Sequence, residues 1–252
     1  MAQSQKHGFD WENEIRMNVF NLKTHINDTN VHDIPKEQNI YDNNENISIK
    51  TTGSSVIYCG DLLSFYSYDF SEKNTIIVVA YSQSENHKCI NVIYEIDYNK
   101  ELHKLLFGDL TREIIEQYIN NVKSIPINTK GEEGKKTFDY IKEKENLKKY
   151  NHLITINPKV DSHTQRRVQC SINLKKSFLK DFIKYKSHLD RPNVIRGKEI
   201  VSSIESSKRK RGDINISQLK QNCRDNNIKG YSKLNKAQLE DLLLKHNIKF
   251  MN

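Results

Sequence analysis

Long hydrophobic runs are missing from this chain. Nowhere do apolar residues approach the roughly 18 in a row that a membrane-spanning helix requires, and the mean hydropathy is −0.77. The stretch from Met1 to Phe9 is too polar for a secretory signal. These absences lead to the expectation of a soluble intracellular protein, cytoplasmic or nuclear, that engages no membrane. Cysteine is scarce as well. Cys59, Cys89, Cys170 and Cys223 lie far apart with no Cys-x-x-Cys pair, which argues against structural zinc and supplies no disulfide framework. There is no Gly-x-Ser-x-Gly, no Walker-type phosphate loop and no Cys/His nuclease motif, so a serine hydrolase, an ATPase and a zinc enzyme have no support.

What is present suggests one medium domain with a small appendage, which 252 residues accommodate. Although only 36% of residues are hydrophobic, several apolar runs occur that a disordered chain would lack. The wealth of Asn, Ile and Lys is the simple consequence of an AT-rich coding genome and inflates the basic count. The placement of charge says more than its sum. Met1 to Asp190 carries 26 Lys and Arg against 26 Asp and Glu, whereas Arg191 to Asn252 carries 14 against 6. The whole +8 excess therefore lies in the last quarter, where it can attract phosphates. Its densest run, Lys208, Arg209, Lys210 and Arg211, is flanked by serines and by Gly212-Asp213. Residues 191–213 thus read as a flexible basic linker, either a solvated tether or a segment that also meets phosphate or an import receptor.

Helical spacing of Trp11, Ile15, Val19 and Leu22 predicts a first helix from Asp10 to Leu22. Val31 to Ile34 and Ile47 to Thr51 read as strands separated by a turn-rich stretch. Thr75 to Tyr81 is a β-branched run expected at the centre of a sheet, buried on both faces. Ile90 to Ile96, Leu153 to Ile156 and Gln165 to Ile172 are further strands. Thr111 to Val122 and Lys135 to Lys149 read as mostly exposed helices, and Lys175 to His188 as a closing helix with Phe178, Phe182 and Tyr185 inward. The pattern predicts an α/β sandwich around a mixed sheet.

Chemistry concentrates in His32-Asp33-Ile34-Pro35 and Ile47-Ser48-Ile49-Lys50-Thr51-Thr52-Gly53. On adjacent strands Asp33 can approach Lys50, and Ser48 shares its face. A strand-edge lysine reaching solvent fits the same spacing. Together with Gly8-Phe9-Asp10-Trp11-Glu12, the order of helix Glu, strand Asp and strand x-Lys resembles the PD-(D/E)xK nuclease superfamily, in its Ser-x-Lys variant. The resemblance covers Gly8 to Tyr81. It implies a restriction-endonuclease-like fold over residues 1–190, with Glu12, Asp33, Ser48 and Lys50 catalytic and with Glu12 and Asp33 binding Mg²⁺ or Mn²⁺. Ser48 stands where the acid usually is. Asp61, in Gly60-Asp61-Leu62-Leu63 at the start of a helix, is the candidate for the displaced acid and third metal ligand, with Glu45 and Asp42 as rivals. Phosphodiester cleavage puts negative charge on phosphate and leaving oxygen, which carboxylate-held Mg²⁺ stabilises. Lys50 would orient water, stabilise charge or act as base.

Strand alternation turns Gln165, Arg167, Gln169 and Ser171 to one polar face. Arg and Gln can bond bidentately to base edges, so this is either a recognition strand or the outer face of an edge strand. Residues 214–252 resemble a SAP or Rho-N-terminal-like helix-extended-loop-helix module, on Leu219, Asn227 to Leu234, Asn235 to Leu239 and Leu242-Leu243-Leu244. That resemblance implies a small all-α domain binding nucleic acid through Lys229, Tyr231, Lys233 and Lys236; a protein-binding hairpin is the other reading. Double-stranded DNA is the expected partner, and a homodimer with one subunit per strand is compatible with the chain. The alternatives are a non-catalytic DNA-binding protein on a degenerate nuclease scaffold and a junction resolvase. Composition, core and tail together look like proteins of large DNA viruses.

Overall fold

The computed structural model describes residues 10–23, 32–84, 86–125, 147–160, 166–205, 216–226, 228–232 and 234–246. The chain divides into two compact units, Met1–Ser206 and Ser207–Asn252. The first unit is mixed α/β.

Its main sheet is built on β1 (Glu45–Thr52), β3 (Lys73–Gln83) and β4 (His87–Asp97), with β3 in the middle. β1 runs parallel to β3 and β4 antiparallel to it. The far side of β4 is completed by β7 (Ile183–Lys186) and β10 (Ser203–Glu205), both antiparallel. A parallel neighbour demands a crossover of a dozen or more residues. Here that crossover holds β2 (Val56–Asp61) and the short helix α2 (Leu62–Tyr66). β2 joins β6 (Arg167–Asn173) and β5 (Thr155–Lys159) in a second, three-stranded antiparallel sheet ordered β2-β6-β5.

β3 is buried on both faces, as its β-branched run predicts. Ile76 and Val78 enter one core with Ile57, Val168, Cys170 and the helices α2, α3 (Lys100–Phe107) and α4 (Arg112–Lys123). Ile77 and Val79 enter a second core with Ile47, Ile49, Trp11, Ile15 and Val19. Each such side chain, fully withdrawn from water, contributes roughly 1.5–3 kcal/mol. The helix carrying Trp11 is α1, α-helical over residues 10–14 and π-helical over Ile15–Val19. Phe20 joins the buried face after the π turn, and Leu22 packs against the same core, partly buried.

Several expectations change. α4 is amphipathic: Ile115, Tyr118, Ile119 and Val122 line one buried stripe and the rest of the helix is exposed or partly so. No helix spans 175–188: a 3-10 turn at Ser177–Phe182 leads into β7, whose alternation of partly buried and exposed residues is that of a strand. Residues 191–205 are no linker. They form β8 (Val194–Ile195), β9 (Lys198–Glu199) and β10, and they place Ile195, Arg196 and Ile200 inside the first unit. The expected helix at 135–149 lies mostly outside the described residues.

The described part of the second unit is a pair of helices, α5 (Ile216–Asp225) and α6 (Lys236–Lys245). Leu219, Cys223, Ile228, Leu239 and Leu243 form its core. Asn235 caps α6 in a reciprocal box with Gln238, at 3.0 Å in each direction. Among the described residues no helix is long and apolar enough to cross a membrane.

Candidate active site

The site forms on the outer edge of β1. The segment before it makes one antiparallel bridge, Ile34 to Ile47, and this sets Asp33 beside the strand's exposed amides. Asp33 Oδ2 accepts the Ile49 N–H at 2.5 Å and stands 3.3 Å from the ammonium of Lys50. The spatial demand read from the sequence, Asp33 beside Lys50, is met.

Glu12 comes to the same place from α1. Burial first, and the negative charge of Asp33 second, push its carboxyl up to about 7, while Lys50 and Arg16 partly offset them. Arg16, one turn along α1, donates to the carbonyl oxygen of Asp33. That bond ties the helix to the bridge segment. Burial works against the charge of Lys50, yet Asp33 raises its pKa overall, so the amine stays protonated.

Ser48 lies two residues before Lys50 on the same face. It is buried, and its hydroxyl is 3.0 Å from that of Tyr68. Burial raises the pKa of Tyr68, whose ring also meets the His32 ring edge-on, with centroids 4.8 Å apart. Burial lowers the pKa of His32, and its buried Nδ1 has no hydrogen-bond partner among the described residues. Arg16 and Tyr68 were not singled out in the sequence, and His32 was given no role there. Arg16 had a signal, since it follows Glu12 by four residues on one helix face. Tyr68 had none, because only the crossover fold brings it over Ser48.

Asp61, the candidate for the displaced acid, is engaged elsewhere. That side chain is exposed and caps α2, accepting from the Ser64 N–H at 3.0 Å and facing the Ser64 hydroxyl at 3.2 Å. Its rivals are occupied too. Glu45 is bound to Thr75, Asn39 and Arg196, and Asp42 pairs with Lys73 at 2.7 Å. Among the described residues no three His, Cys, Asp or Glu side chains stand in metal-holding positions. The cluster thus offers two carboxylates, Glu12 and Asp33. Mg²⁺ often takes only one or two protein carboxylates and keeps waters or substrate phosphates for the rest, so this donor set fits such an ion.

No family model, curated protein or solved structure matches this chain. The reading of the site therefore rests on its own chemistry.

The residues expected at DNA divide. Arg167 is exposed and Gln169 partly so on β6, while Val168 and Cys170 face inward, as alternation predicts. Ser171 is buried despite its outward register and bonds to Asn157 at 2.9 Å. Lys229 is exposed. Tyr231 packs against the core of the second unit instead of standing free. Lys236 makes an i,i+4 pair with Glu240 at 3.7 Å. Lys220, missed in the sequence, donates to the Ser232 carbonyl at 2.6 Å and braces the loop. Gln165, Lys208, Arg209, Lys210, Arg211 and Lys233 lie outside the described residues.

Proposed function

We propose that this protein is a metal-dependent endodeoxyribonuclease of restriction-like type, with a C-terminal unit that holds DNA. One observation carries the reading. Two carboxylates and a lysine from three separate segments converge on one strand edge, with Lys50 3.3 Å from Asp33 and Glu12 close enough for both charges to act on it. With its carboxyl raised to about 7, Glu12 is a poor anion in the empty site, and a divalent cation between it and Asp33 would favour its ionised form. Asp33 and Glu12 would hold Mg²⁺ or Mn²⁺, and the ion would stabilise the charge that develops on phosphate. Lys50, protonated beside Asp33, supplies a fixed positive charge to a non-bridging oxygen or orients the attacking water. Tethering by the second unit raises the local concentration of DNA.

The test is cleavage of mixed plasmid DNA with and without Mg²⁺ or Mn²⁺. Cutting should require the ion, and Lys50→Ala and Asp33→Ala should abolish it while duplex binding persists. Undiminished cutting by Lys50→Ala would end the proposal. A second reading, a non-catalytic DNA-binding protein, is favoured by the third acid's absence from the described cluster and by the engagement of Ser48 with Tyr68. It predicts binding that ignores divalent metal and no cutting of linear, circular or four-way substrates.

A further inference from the structure

The small sheet has a second face that the site does not use. Ile57, Cys59, Val168, Cys170 and Ile172 turn into the core, so Tyr58, Arg167 and Gln169 occupy the outward positions between them. The register aligns Tyr58 with Ser171 and Thr155, and Arg167 with Lys159. With strands about 4.8 Å apart and a rise of about 3.3 Å per residue, this array covers about 10 by 13 Å, room for a short run of nucleotides.

Tyr58 is 58% exposed, among the most exposed large apolar residues of the described chain. Lys159 sits above its ring, 5.8 Å from the centroid. β2, β5 and β6 contain one acid, Asp61, and it is spent on capping α2. The two cations of the face, Arg167 and Lys159, make no ion pair among the described residues. An exposed aromatic ring with adjacent cations and an amide, and with no free carboxylate on these strands among the described residues, matches what a nucleic-acid strand presents: base faces and phosphates. Inside a duplex paired bases show only their edges, so a base within a strand can stack on Tyr58 only when it is unpaired.

We propose that this face is a platform for single-stranded DNA, with a base stacked on Tyr58, flanking phosphates on Arg167 and Lys159, and Gln169 at a base edge. β2 follows β1 through residues 53–55 only, so the platform is joined by a short turn to the strand that bears Lys50. The proposal shares the nucleic-acid half of the reading above but does not depend on cutting.

The test is fluorescence anisotropy on the full chain in EDTA, with a labelled 12-nucleotide mixed-sequence oligodeoxynucleotide and its blunt duplex as probes. Tyr58→Ala should weaken single-strand binding about tenfold, since one stacked base contributes about that much or more, and should leave duplex binding within about twofold. Tyr58→Trp should retain single-strand affinity. Replacing both Arg167 and Lys159 by Ala should flatten the salt dependence for the single strand by about 1.4 in log–log slope, the share of two phosphate contacts. Unchanged single-strand affinity in Tyr58→Ala, or an equal loss on both probes, would overturn the proposal. Because binding is read without metal, the platform and the nuclease reading can fail separately.

Discussion

Arg196 offers the sharpest test of how the first unit is held together. Its guanidinium lies between Glu45, at the start of β1, and Glu95 on β4, at 3.0 and 2.9 Å. The three side chains are only 12%, 8% and 9% exposed. The guanidinium also lies 5.2 Å from the ring centroid of Phe20 and 5.4 Å from that of Tyr41. At an effective dielectric of about 20, a charge pair about 3 Å apart attracts by roughly 5 kcal/mol, most of it offset by desolvation. Arg196→Met preserves much of the apolar stem and removes the charge. Two buried carboxylates are then left facing each other without a cation, and stability should fall by about 3–5 kcal/mol.

The assay is urea unfolding followed by tryptophan emission. Trp11 is the single tryptophan, fully buried and bonded to the Val201 carbonyl at 3.0 Å, so its signal belongs to the first unit. The pH dependence has a definite sign. Burial pushes the Glu45 carboxyl up, but Thr75, Arg196 and Asn39 together hold it below its ordinary range. In the wild type its contribution is complete above the unfolded value of about 4.3 and is lost as pH falls through the lower folded one. Without Arg196 the Glu45 carboxyl takes up a proton more readily, so the deficit should be greatest at neutral pH and shrink on acidification. Adding Glu45→Gln and Glu95→Gln should recover most of the loss. A deficit below about 1 kcal/mol at pH 7, or one that grows with acid, would refute this account.

Three further outcomes are expected. Asp61→Ala should cost about 1 kcal/mol in the same unfolding experiment, as a lost helix cap does, and leave metal-dependent cutting intact; lost cutting would return Asp61 to the site. Tyr68→Phe and Ser48→Ala should each cost about 1 kcal/mol, and the double variant little more than either, because both remove one hydrogen bond; full additivity would mean that the two hydroxyls do not interact. Arg16→Met should raise the Mg²⁺ concentration for half-maximal cutting several-fold, because it frees α1 from the Asp33 segment without altering a carboxylate. An unchanged Mg²⁺ dependence would separate Arg16 from the site.

The central strands were legible because their apolar runs decide burial locally: Ile76 to Val79 can satisfy both faces only at the middle of a sheet. Asp33 and Lys50 were legible for a related reason, since one bridge at Ile34 and Ile47 fixes their approach. The segment 175–188 misled because Phe178, Phe182 and Tyr185 mimic a helical stripe, while pairing with β4 makes Ile183–Lys186 a strand. Such tertiary pairing leaves little local trace. The same holds for Arg196, which reads as part of a basic tail until its fold partners Glu45 and Glu95 are known. A charge count by segment cannot tell a buried cation from a solvated one.

Ser48 is where the nuclease and the passive binder part company. It faces the core that holds Ile76 and Val78, its hydroxyl committed to Tyr68. A carboxylate in that position would have to displace Tyr68 or give up its charge to apolar surroundings. The negative charge beside Lys50 must then come from outside β1. After the strand, Asp61 is exposed and stabilises the first turn of α2. Before the strand, Glu12 comes near Asp33 and Lys50 from α1, and the bond from Arg16 to the Asp33 carbonyl joins its helix to that acid. On the nuclease reading Glu12 and Asp33 would supply both carboxylates from outside β1, with Ser48 leaving the third place without an acid; on the passive-binder reading the same serine marks the lost ligand.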